Sequence, residues 1–228
     1  AVSGGWLALR MPETLPRAQR SPFVPRTVLA ALREVVAHPV VQVTVVVHGL
    51  CFGMLFSMIA NVQPIYDLAF DRADTFPYWF GGVALVAASA SAVNAALVMR
   101  LGMETLISGM LAAQIAITGT MLAVLTSGLG GDALFYVFVA WQVAVFFQAG
   151  LTLGNLNAIA LEPMGHIAGM AASITTALGT VLAVAFAAPI SLAFDGTPIP
   201  LAVGVLVYAA TGLALMRLVR RRQDALVA

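Results

Sequence analysis

Apolar residues come in six long blocks separated by short polar joints, and that alternation predicts the architecture. The blocks cover residues 40–60, 77–99, 105–127, 133–161, 166–194 and 198–219. Each is close to or longer than the roughly 20 residues that cross a bilayer as a helix. Hydrocarbon offers no partner to an open backbone amide or carbonyl, so runs of this kind must be helical. Ahead of them, residues 10–39 are polar, with Pro12, Pro16, Pro22, Pro25 and five arginines; this stretch reads as an exposed loop with a short helix around 27–36. Residues 1–9 form an apolar stub too short to span, and read as the end of a preceding transmembrane helix. Residues 220–228 form a short tail.

Composition excludes a soluble protein. Hydrophobic residues make up 61% and charged residues 9% of the chain, against roughly 25% charged in soluble domains. The expected class is an all-α, polytopic membrane protein with six transmembrane helices.

The eleven basic residues are all arginine, and they are sorted by side. Arg10, Arg17, Arg20, Arg26 and Arg33 precede the first block, Arg100 separates the second from the third, and Arg217, Arg220, Arg221 and Arg222 follow the last. The opposite joints carry Arg72 beside Asp67, Asp71, Asp74, Asp132 and Asp195. By the positive-inside rule both ends of the chain lie in the cytoplasm. Tight reversals at Gly128, Gly130 and Gly131 and at Asp195-Gly196-Thr197-Pro198 leave no room for a soluble catalytic domain between spans. The lone Cys51 is expected to be a small packing residue.

Small residues mark one helix for close packing. After the Glu162-Pro163 break, Gly165, Gly169, Ser173 and Ala177 lie four apart, with Ala168, Ala172, Thr176 and Thr180 on the adjoining row. Rows without bulk let helix backbones approach where lipid removes the usual hydrophobic drive. Ala84, Ala88, Ala92 and Ala96 form a similar row in the second span, Gly150 and Gly154 a G-x-x-x-G in the fourth, and Pro189 is expected to kink the fifth.

Candidate chemistry is sparse. His48 stands near the centre of the first span, where an ionisable group is costly and marks a functional hypothesis. It is either a protonatable group in a drug or proton path, since imidazole changes charge near physiological pH, or a neutral histidine bonded to a neighbouring helix. Trp141, Gln142, Phe146, Phe147 and Gln148 mix apolar faces with amides, as sites for bulky amphipathic ligands do, though packing and helix bridging use the same residues. Asn155 and Asn157 either bind substrate or satisfy backbone around Gly154. Glu162 and His166 flank Pro163 as a gate contact or as a solvated helix end. There is no H-E-x-x-H, G-x-S-x-G or P-loop, and His38, His48 and His166 are not spaced as a metal site. No enzyme activity, cofactor, metal or nucleic-acid partner is expected.

Several stretches resemble one family. Met11-Pro12-Glu13-Thr14-Leu15-Pro16 is similar to the sequence following the sixth helix of many major facilitator superfamily drug antiporters. GNLNAIALEPMGHIAGMAAS (residues 154–173), followed by Asp195-Gly196-Thr197, looks like the tenth and eleventh helices of the bicyclomycin/chloramphenicol-resistance type. Arg100-Leu101-Gly102 fits the reduced loop motif between helices eight and nine, while NVQPIY (residues 61–66) and Asn94 fall where polar residues stand in helices seven and eight.

The resemblance implies the carboxy-terminal six-helix half of a twelve-helix drug:proton antiporter of the bacterial inner membrane, associated with multidrug efflux. Its first and fourth spans, with parts of the second and fifth, would line a central cavity, and its third and sixth would face lipid. The implied substrate and proton path comprises His48, Gln63, Asn94, Trp141, Gln142, Phe147, Gln148, Asn155 and Asn157, and the cytoplasmic gate Glu162, His166 and Arg100. Partners would be the bilayer, protons, an amphipathic substrate and the missing amino-terminal half. That half would hold the coupling motifs: an acid in helix one, an arginine in helix four and the glycine-proline motif of helix five. The alternative is a truncated six-helix membrane module that only packs against a partner.

Overall fold

The computed structural model describes residues 25–227, with side chains from Arg26 to Arg217, together with Gly5, Trp6 and Arg10. The 1–9 stub, apart from Gly5 and Trp6, and residues 11–24 lie outside the described residues. Seven α-helices follow: α1 (Pro25–Ala37), α2 (Pro39–Leu68), α3 (Phe76–Leu101), α4 (Met103–Thr126), α5 (Gly131–Leu161), α6 (Ala168–Leu192) and α7 (Ile199–Val227). Short 3-10 turns at Ala73–Thr75 and Glu162–Ile167 complete the path, and no strand occurs among the described residues. Five continuous helical segments are long and apolar enough to cross a membrane. One of them, Gly131–Leu192, has 62 residues and turns back at the Glu162–Ile167 break, where Met164 leaves helical geometry. It therefore comprises two passes, α5 and α6, and the protein is an all-α, multi-pass membrane protein.

The first span runs further than its hydropathy suggests. Residues 61–68 continue α2 through Pro64, because Val62, Ile65 and Tyr66 are buried and the Asn61 amide donates to the Ser57 carbonyl (2.7 Å) and to Ser191 Oγ on α6 (3.1 Å). Tertiary contacts thus hold a helix across a residue that removes one backbone donor. Pro189 lies inside α6, which ends three residues later at Leu192. The helix expected around 27–36 is α1.

Pairing of the helices has an internal symmetry. α2 packs against α5, α6 and α7; α5 packs against α2, α3 and α4; and α4 packs against α7. Exchanging α2, α3 and α4 with α5, α6 and α7 leaves this scheme unchanged. Three crossings separate exchanged helices, so each runs opposite to its mate, the arrangement of an inverted three-helix repeat. At the centre α2, α5, α4 and α7 form a ring, with α6 docked on α2 and α3 docked on α5.

The docking contacts depend on glycine. A Cβ at Gly49 would meet Leu182 Cβ at 2.6 Å, one at Gly53 would meet Phe186 Cβ at 3.0 Å, and one at Gly150 would meet Ala90 Cβ at 2.6 Å. These positions bring α2 onto α6 and α5 onto α3, two crossings related by the repeat. At the aspartate-rich end, Arg72 ties the α2–α3 connection to the start of α5, with an ion pair to Asp132 (2.6 Å) and its guanidinium 4.4 Å above the Phe135 ring. In the α6–α7 turn Gly196 has φ +87, and Asp195 accepts from the Thr197 amide (2.9 Å) and hydroxyl (2.7 Å). Those two donors hold the Asp195 carboxyl below its ordinary value.

Candidate functional site

The polar residues of the spans divide between two places. One group lies inside the ring. Thr118 on α4 accepts from Trp141 Nε1 on α5 (3.0 Å) and from Gln114 Nε2 (3.0 Å), and Tyr66 on α2 donates to Gln142 Oε1 (2.9 Å). Gln148 Nε2 donates to Thr152 (2.8 Å), and the buried Cys51 contacts both side chains. Trp141 is 2% exposed, and Gln114, Thr118, Gln142 and Gln148 are fully enclosed. Trp141 thereby joins α5 to α4 and Gln142 joins α5 to α2, while the Gln114 and Gln148 amides bond to a threonine one turn on in their own helices. Gln114 and Thr118 turn inward from α4, so that span presents its apolar side outward.

The second group lies on the sides of α2 and α5 turned away from α4 and α7. Along α2, His48, Phe52 and Phe56 are half-buried and Gln63 is exposed. His48 meets Phe52 edge-on with ring centroids 6.0 Å apart, and Phe52 meets Phe56 at 4.3 Å. His48 also rests on Gly179 of α6, where a Cβ would come within 2.6 Å of the imidazole Cδ2. On α5, Asn157 is half-buried and its Oδ1 accepts a long hydrogen bond from Thr175 on α6 (3.4 Å), whereas Phe147 is half-buried against the cluster of Ala90, Leu106 and Leu151 where α3, α4 and α5 meet. Asn155 turns inward and donates to Asn94 of α3 (2.7 Å) and to the Leu151 carbonyl (2.8 Å).

This open strip combines one imidazole, two phenyl rings tilted against each other and side-chain amides. Such a surface suits a bulky ligand with a few polar groups. Among the named path residues, the structure brings His48 and Gln63 onto one strip with Phe52 and Phe56, places Asn157 beside α6, sets Phe147 against the α3–α4–α5 cluster, and keeps Trp141, Gln142 and Gln148 inside. Phe56 was legible in the sequence as the third member of the four-residue spacing from His48 through Phe52. Thr118 and Tyr66 carried no such signal, because their roles depend on which helices meet.

The small-residue rows remain uncovered. Gly165, Gly169, Ser173 and Ala177 on and before α6 are exposed, as are Ala84, Ala88, Ala92 and Ala96 on α3. The face α6 buries instead runs through Ala171, Thr175, Gly179, Ala183 and Ala187. The two repeat-related flanking helices thus both carry a smooth face with no helix upon it among the described residues.

At the arginine-rich end, His166 Nε2 pairs with Glu34 Oε1 of α1 at 2.6 Å. The expected gate residues are consequently not paired with each other: Glu162 and Arg100 are exposed, on the α5–α6 turn and in the last turn of α3. The contact straps α1 across the α5–α6 turn, with Val35 buried against Met164, Ala160 and Ala171. Both partners are solvent-exposed, so the pair contributes about 0.2–1 kcal/mol. Glu34→Gln should then speed trypsin cleavage at Arg33 by about twofold to fivefold without lowering the melting temperature of the bundle. An unchanged cleavage rate would mean that Val35 alone seats the helix.

No group of side chains suited to holding a metal ion occurs among the described residues. No family model matches the chain, and neither a curated protein nor a solved structure matches it.

Proposed function

We propose that the chain is one six-helix half of a major facilitator drug:proton antiporter, exporting amphipathic small molecules by alternating access across the bacterial inner membrane. The observation that carries this reading is the inverted three-helix repeat whose flanking helices, α3 and α6, both leave a small-residue face uncovered. Transporters built from inverted repeats place their substrate site near the midplane where two bodies meet, and rock one body against the other. A second six-helix body seated on α3 and α6 would enclose the strip of His48, Phe52, Phe56, Gln63 and Asn157 between the halves. The arginine-rich end would face the cytoplasm.

Chemically, the strip supplies ring faces and amides for an amphipathic substrate and one group, His48, whose charge can follow the proton gradient. His48→Ala is expected to alter the pH dependence of efflux, because it removes the only ionisable side chain on the strip. An unchanged pH profile at normal expression would leave His48 as packing against Gly179 and Phe52.

The reading is tested by proton-driven efflux of a fluorescent cationic dye from inverted vesicles. This chain alone is compared with the chain joined to its upstream coding region. Export by the longer protein only supports the half-transporter. No export by either would leave a membrane module without transport activity, and export by this chain alone would require two copies to form the pore.

A further inference from the structure

The level of α1 relative to the spans is fixed at two points. His38, extended at φ −75 and ψ 122, is the one residue between α1 and α2, so α1 ends where the first span begins. His166, on the turn between two other spans, holds Glu34 at 2.6 Å. Both ties place the helix at the bilayer boundary. Residues seven apart lie on nearly the same side of a helix, and α1 sorts its side chains by that spacing. Ala31 and Val35 are buried. Thr27 and Glu34 form the flank toward His166. On the other flank Leu29 and Val36 are exposed, and Arg26 and Arg33 form the exposed row beside them. Neither arginine is engaged by a carboxylate among the described residues.

The exposed flank continues into apolar surface. A groove of about 260 Å³ lies between α1, α2 and α6, lined by Val36, Val41, Val45, Val46, Leu178 and Val181. Gln42 also reaches it, but its amide is occupied by the Val36 carbonyl (2.7 Å). Val181 is exposed and stands thirteen residues into α6, about 20 Å along that helix. The groove therefore opens sideways along the spans, below the level of α1. A helix that lies in a membrane surface buries its apolar side at the boundary of headgroups and acyl chains and keeps its basic side at the phosphates. The outward flank of α1 has that order, and its charge is positive alone, because Glu34, the only acid in α1, sits on the His166 flank. We propose that α1 is a membrane-surface helix that binds the anionic lipids of the leaflet at the arginine-rich end. Leu29 and Val36 enter the acyl boundary, with Val36 above the groove, and Arg26 and Arg33 donate to the headgroup phosphates. The groove and the flank share no residue with the His48 strip, so the inference stands apart from transport.

The test places a fluorophore on the whole chain at Leu29→Cys, or at Thr27→Cys on the opposite flank; Cys51 is buried and does not compete for the label. The protein is reconstituted in phosphatidylcholine nanodiscs carrying the same small fraction of spin-labelled phosphatidylcholine or spin-labelled phosphatidylglycerol, and acrylamide serves as the aqueous quencher. The label at Leu29 is expected to be shielded from acrylamide and quenched more strongly by the anionic lipid than by the zwitterionic one, with the label at Thr27 open to acrylamide. Arg26→Gln and Arg33→Gln should each lower the ratio of anionic to zwitterionic quenching by up to about fivefold. Both arginines are exposed, so neither change should move the melting temperature. Equal quenching by the two lipids would overturn the proposal, as would acrylamide reaching Leu29 as readily as Thr27. A label at Leu29 shielded from acrylamide and from both lipids would also overturn it and assign the flank to a protein contact.

Discussion

Trp141→Ala should be the most damaging single substitution in the bundle, lowering stability by about 3–5 kcal/mol. The indole is enclosed, packs beside Phe138 with ring centroids 5.7 Å apart, and donates to Thr118 on α4. Truncation leaves a cavity that the surrounding helices cannot close, because α4 and α5 are also held by their other contacts. Trp141→Phe keeps most of the volume and loses one hydrogen bond, worth about 1 kcal/mol; Thr118 still accepts from Gln114. Reversible unfolding in mixed micelles measures both. A stable Trp141→Ala protein with an altered range of exported dyes would place the indole on the substrate surface instead of inside the ring.

Gly150→Leu is the second. A side chain here enters the α3–α5 crossing directly, where even a Cβ lies 2.6 Å from that of Ala90. α3 is the more vulnerable partner, since among its residues only Val83 and Ala90 are fully buried and α5 is its principal neighbour. Overpacking of this kind costs about 1–3 kcal/mol, and it should separate Asn94 from Asn155, whose side chains are 2.7 Å apart. Ala90→Gly in the same protein removes the opposing methyl group and should restore part of the lost melting temperature. Failure of that rescue would show that the helices meet elsewhere. The equivalent change at Gly154, where a Cβ meets nothing within 4 Å, should be nearly silent, although the two glycines look alike in the G-x-x-x-G spacing.

That contrast separates what is local from what is not. Hydropathy alone determined the six spans, the short α1 and the turns, because a bilayer admits only helices and the length of each apolar run sets the crossing. Arginine placement likewise distinguished the two ends before any fold was known. The end of α2 was hidden, since Pro64 and the polar residues around it look like a loop until the half-buried Ser191 of α6 accepts from Asn61, and until Val62, Ile65 and Tyr66 are buried. The candidate site was only half legible for a similar reason. In a helix that is apolar on every side, no moment of hydrophobicity separates the face turned to a neighbour from the face left open, so His48 and Gln148 looked equally central. Only the packing of α4 and α7 behind α2 and α5 put Trp141, Gln142 and Gln148 inside and left His48, Phe52 and Phe56 on the open strip. The sequence determined which residues could pair or pack; the meeting of helices distant in the chain decided which of them did.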